Sequence, residues 1–104
     1  MTTSEPITGA YYDPNHGGCL RYITALQGGL WQVTGFYGEK EQAQNGVQWQ
    51  AHLRFVPGSK RHMIVDFYNK RTTHDRIYEA LWCPTVREIH WEDGNVWKKM
   101  YSPL

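Results

Sequence analysis

Cysteine is scarce in this chain. Cys19 and Cys83 are the whole complement, so no disulfide framework can hold the fold together. Long apolar runs are missing too. None approaches the ~18 residues that a membrane-crossing helix needs, so no membrane insertion is expected. Neither sign of charge dominates, since 11 Lys+Arg stand against 10 Asp+Glu for a formal net charge of +1. That balance argues against a nucleic-acid partner, which calls for a basic face. The opening residues MTTSEPITGAYY carry no basic cluster, apolar stretch or cleavage-like site, so they are not expected to act as a signal peptide and an intracellular location is the expectation. Reaction fingerprints are missing as well. There is no G-x-S-x-G, phosphate loop, dinucleotide motif, H-E-x-x-H or finger-spaced cysteine pair. The sequence implies no cofactor and no metal.

Helical periodicity is also hard to find. The best window, residues 38–45 (GEKEQAQN), has no apolar stripe and reads as a loop or a single turn. What the chain does have is aromatic residues and glycine: five Trp, seven Tyr, three Phe and ten Gly. Aromatics favour strands, and glycines favour frequent reversals. Period-two alternation predicts eight strands, at residues 7–13, 19–26, 31–37, 49–56, 61–67, 76–82, 87–91 and 96–101. Turn-forming segments separate them. Trp49, Ala51, Leu53 and Phe55 share one face of the fourth strand. Met63, Val65 and Phe67 share one face of the fifth. Tyr78, Ala80 and Trp82 do so in the sixth, and Ile89 and Trp91 in the seventh. Each strand thus buries one side and wets the other. The fold class is all-β. A small antiparallel up-and-down barrel of about eight strands satisfies the strand edges most simply, and a two-sheet β-sandwich is the alternative. Residues 1–6 read as an N-terminal extension and 7–104 as one barrel domain.

Three local expectations sharpen this picture. Glu92-Asp93-Gly94-Asn95 suits a three-residue turn with a bulge, pairing Trp91 with Asn95 and Ile89 with Trp97, because that register gathers the apolar side chains on one face. His52 falls opposite Asp66 if Phe55 opposes Met63, which makes a cross-strand polar pair. Cys19 and Cys83 fall at opposite ends of a strand length, ~20 Å apart against a ~7 Å limit for disulfide Cα atoms, so they should not bond.

The stretches Gly9-Ala10-Tyr11-Tyr12-Asp13-Pro14-Asn15-His16, Gly18-Cys19-Leu20-Arg21, Val65-Asp66-Phe67 and Trp91-Glu92-Asp93-Gly94-Asn95-Val96-Trp97-Lys98-Lys99 together resemble a family of small uncharacterised β-barrel domains of algae and other photosynthetic microorganisms. The likeness spans most of the chain. It departs from the family pattern at Glu92, where that pattern carries Pro, and at residues 69–74, where it is Gly-rich. The resemblance implies the fold and no activity. The opening at residues 7–12 and the strand at 31–37 also resemble avidin- and lipocalin-type barrels.

Meander order supplies the functional expectation. Alternate connections gather at one end, so DPNHGG, GEKEQAQNGV, YNKRTTHD and EDGN share a rim that is longer and more charged than the other. Loops on a rigid scaffold commonly carry function. Asp13, Asn15, His16, Lys70, Arg71, His74, Asp75 and Asp93 are therefore the candidate binding residues, for a small molecule or a protein partner. The same turn could pair Asp13 with His16 as acid and base, although Asp before Pro more often only starts a turn. The inward tryptophans read as core, with Trp31 the one expected to be partly exposed. The leading expectation is a non-enzymatic binding module. A structural subunit of a larger assembly and a small barrel enzyme using rim His and carboxylates are the alternatives. A catalytic residue set, the ligand and the oligomeric state are not readable from the sequence.

Overall fold

The computed structural model describes residues 5–16, 19–36, 48–70 and 75–101. Eight strands form it: β1 Gly9–Asp13, β2 Cys19–Ala25, β3 Trp31–Phe36, β4 Gln48–Phe55, β5 His62–Asp66, β6 Ile77–Cys83, β7 Glu88–Trp91 and β8 Val96–Lys99. Each pairs antiparallel with its neighbour in the chain, and β1 pairs with β8 to close the barrel. The architecture is the expected up-and-down barrel, not a sandwich. Helical structure among the described residues is the single 3-10 turn Pro14–His16. The window at 38–45 lies outside the described residues.

Alternation sorts side chains as expected because only one face of each strand is buried. Trp49, Ala51 and Leu53 are buried, as are Met63, Val65, Ala80, Trp82, Ile89, Trp91 and Trp97. Trp31 is half-buried and meets Phe55 edge-on at 5.3 Å. Tyr11 and Trp82 pack edge to face at 6.2 Å, further along the barrel axis. An eight-stranded barrel is just wide enough for its own side chains or one small ligand, and large aromatic and aliphatic groups occupy most of this interior. Gly35 shows how tight the fit is. It pairs with Trp49 across β3 and β4, and a Cβ at that position would run into the Trp49 indole.

The last hairpin has the expected bulged turn. Trp91 N–H donates to Asn95 O at 2.9 Å, Gly94 N–H donates to Trp91 O at 3.0 Å, and Ile89 pairs with Trp97. Gly94 takes the positive φ of 92° that this turn requires. His52 does pair with Asp66 as expected; Arg76 is the first cause holding the Asp66 carboxyl below its ordinary range and His52 a lesser one, while the hydrogen bonds of Asp66 go to Arg76. Asp66 accepts both arms of Arg76, at 2.6 and 3.0 Å, while the His52 ring lies over Tyr68 at 4.5 Å. A forked guanidinium matches a carboxylate better than a single imidazole nitrogen does. Cys19 and Cys83 are not joined by a disulfide. Strand ends differ by a residue or two from those expected. β8 stops at Lys99, and Tyr101 beyond it is exposed.

Barrel closure rests on a short seam. The β1–β8 ladder pairs Tyr11 with Lys99 and Tyr12 with Lys98. Side chains extend the seam at both ends. On one side Lys99 Nζ reaches Pro6 O at 2.6 Å and the Glu5 carboxylate at 3.1 Å, and Tyr11 Oη donates to Ile7 O at 2.6 Å. On the other side Asn95 Nδ2 donates to Asp13 Oδ1 at 3.1 Å. Residues 5–7 are thereby tied to the barrel, with Ile7 buried in its core.

Candidate functional site

Strands β1, β3, β5 and β7 finish at one end of the barrel, and that end holds its most unusual chemistry. β2 alternates Cys19, Arg21 and Ile23 inward, so strand geometry drives the Arg21 guanidinium into the core. It is 1% exposed, as is Asp13, the last residue of β1. Arg21 Nη2 donates to Asp13 Oδ2 at 3.2 Å. Asp13 Oδ1 accepts from Asn95 Nδ2 and from the backbone N–H of Asn15 at 3.0 Å. This carboxylate links β1, β2 and the β7–β8 hairpin, and its second role is to start the Pro14–His16 turn. Arg21 Nη1 has only long contacts, to Leu20 O at 3.4 Å and Phe36 O at 3.5 Å.

Aromatic rings surround this pair. The Arg21 guanidinium lies 5.1 Å from the Trp49 ring centre and 5.8 Å from that of Trp97. Trp97 packs on Trp91 at 4.6 Å, Trp91 on Phe67 at 5.7 Å, and Phe67 on Trp49 at 5.5 Å. Tyr78 meets Phe67 edge-on. Lys70, just past β5, brings its ammonium to 4.9 Å from the Trp49 ring and 5.7 Å from Phe67. Burial, then the Arg21 charge, holds the Lys70 ammonium below the usual lysine range, and Asp13 and Asp93 offset this only in part. Two cations thus stand close to one indole face system, as cation–π attraction favours.

Hydrogen bonding in this layer is incomplete in one direction. Arg21 Nε and the indole Nε1 of Trp49, Trp91 and Trp97 are buried donors without an acceptor among the described residues. A buried donor left without a partner costs about 1–3 kcal/mol. All four sit in one contiguous cluster of packed rings and charge. What the arrangement offers chemically is N–H groups and positive charge beside flat apolar surfaces.

The candidate residues read from sequence divide sharply. Asp13 is at the centre of this layer, buried rather than on the rim surface, and Lys70 is half-buried at its edge. Asn15, Asp75 and Asp93 are exposed. Asp93 accepts the Asn95 backbone N–H at 2.9 Å, a turn-making role. Arg71, His74 and the His16 side chain lie outside the described residues. Arg21 and Asn95 were not anticipated. Alternation with Cys19 and Ile23 was the available signal for Arg21. For Asn95, 82 residues from Asp13, no local signal exists.

A concavity of about 390 Å³ lies elsewhere, on the outer face of β5, β6 and β7, bordered by His62, Glu79, Leu81, His90 and Glu92. His62 Nε2 and Glu79 Oε1 are 2.7 Å apart, and His90 Nε2 and Glu88 Oε1 are 2.8 Å apart. These are exposed pairs on a shallow surface. Among the described residues no three His, Cys, Asp or Glu side chains are grouped to hold a metal ion. Comparisons with protein-family models, curated proteins and solved structures found no match to this chain.

Proposed function

We propose that this barrel is a non-enzymatic binding module that holds a small molecule at the end lined by Asp13, Arg21, Trp49, Lys70, Trp91 and Trp97. The observation that carries this reading is the set of four buried donors with no acceptor. A filled apolar layer of the same shape would avoid their cost. Retaining them is understandable when a ligand supplies the acceptors. The rigid strands beneath fix the donors in place, and the rings offer a flat apolar surface of the kind small-molecule sites use. Among the described residues, nothing in the layer resembles an activated nucleophile. Its one carboxylate is already engaged by Arg21 and Asn95.

The five indole N–H groups make the test direct, because each gives its own signal in a nitrogen–proton correlation spectrum. Titration with mixtures of small planar compounds should shift Trp49, Trp91 and Trp97 together. Trp31 and Trp82, toward the other end, should stay still. Compounds that instead shift His62 and His90 ring signals, with the three indoles unmoved, would put binding on the outer groove and defeat the proposal.

A further inference from the structure

Resting on the reading of this end as a ligand site, the donor imbalance points to the ligand's charge. Every unpartnered buried side-chain atom in the layer is a donor: Arg21 Nε and three indole Nε1 atoms. The one buried carboxylate, Asp13, is already engaged by Arg21 Nη2, Asn95 Nδ2 and the Asn15 backbone. Charge is lopsided in the same direction. Arg21 and Lys70 bring two cations to the Trp49 ring, whereas Asp13 is the only anionic side chain buried with them among the described residues. Arg21 has Asp13, but no ion pair joins Lys70 to a carboxylate of the described residues. Asp13 and Asp93 act on it through space and offset its burial and the Arg21 charge only in part. A cationic ligand would add a third positive charge in a desolvated place. A neutral ligand would leave the Lys70 ammonium partly buried with its burial and the Arg21 charge offset only in part by Asp13 and Asp93, which low-dielectric surroundings penalise.

We infer that the ligand is a small carboxylate with a flat apolar body, its carboxylate oxygens accepting from the buried N–H donors and facing Lys70, and its body lying against the Trp and Phe67 rings. Oxygen acceptors answer the surplus of donors. The negative charge balances the second cation. The flat body replaces water on the exposed edges of the rings, since Phe67 and Trp91 are the least completely covered of the buried aromatics here, at 8% and 7% exposure.

Benzoate, benzamide and benzylamine share one shape and differ in charge, so they separate the two claims. Each is titrated into the whole protein while the five indole signals are followed. Benzoate should shift Trp49, Trp91 and Trp97 and bind at least about tenfold more tightly than benzamide, as a charge-assisted contact implies. Benzylamine should leave all three unmoved. Lys70→Met, at a half-buried position that should not endanger folding, should reduce benzoate to the affinity of benzamide. If benzamide shifts the same three signals as tightly as benzoate, the charge inference is wrong and the site reading stands. If none of the three compounds moves these indoles at millimolar concentration, both are overturned.

Discussion

Asp13 and Arg21 show how a single buried pair can tie β1, β2 and the β7–β8 hairpin together. A buried ion pair is weak evidence for stability, because desolvating both charges offsets most of their attraction, yet removing one partner leaves the other buried and uncompensated. Asp13→Ala should therefore cost about 3–5 kcal/mol, read as a lower urea midpoint at unchanged slope. Tyr11 makes a second residue-scale prediction. Its phenol is fully buried and donates to Ile7 O, and burial, with the Glu5 charge, raises it far above its ordinary 10. Burial also raises Tyr78. Above pH 10 the folded chain then holds protons that the unfolded chain releases. The resulting stability is fully present below pH 10 and falls as the pH rises beyond it. Tyr11→Phe should lose roughly 1 kcal/mol at neutral pH, with its hydrogen bond gone. It should also lose less stability than the parent between neutral and strongly alkaline pH, measured by urea unfolding at each.

Strands β2, β3 and β4 and the last hairpin carry the element-scale logic. Gly35 on β3 leaves room for the Trp49 indole on β4, so the two strands can stay in register around a large ring. Gly35→Ala should push that ring from its place beside Arg21 and Lys70, at a cost of about 1–3 kcal/mol. It should also shift the Trp49 indole signal more than those of Trp31 and Trp82. Gly94→Ala should cost roughly 1–2 kcal/mol, because its φ of 92° disfavours any Cβ. At this scale the sequence was highly legible. Strands buried on one face leave an alternating pattern that any reader of the chain can follow, and the bulged turn was written in Asp93-Gly94-Asn95. What stayed hidden was Arg21. Alternation alone assigns it inward, but charge suggests water, and only its partner on β1 settles the conflict. Asp13 in turn looks like an ordinary turn-starter until Arg21 and Asn95 are seen to meet it. That meeting depends on closure of the barrel, which joins residues 82 positions apart.

For the molecule as a whole, the barrel divides into an apolar stretch that stabilises the fold and an end layer that does so poorly. Tyr11, Ile23, Val33, Ala51, Leu53, Val65 and Ile89 fill the first at 0–1% exposure. The second keeps charge and unpartnered donors where apolar groups would fit. The rim that the sequence singles out, through its long polar connections, is the end that holds the Asp13–Arg21 layer, although the sequence pointed to exposed loop residues more than to the strand residues beneath them. Stability set against binding tests the division most directly. The paired variant Asp13→Leu with Arg21→Met removes both charges together, so neither is stranded. Urea midpoints of the parent and this variant, each with and without benzoate, are the measurement. The account predicts a variant at least as stable as the parent without ligand and insensitive to benzoate. The parent should gain about 2.7 kcal/mol at ~100 times its Kd. A variant destabilised by several kcal/mol that still gains as much from benzoate as the parent would contradict it, because the buried pair would then be serving the fold and not the ligand.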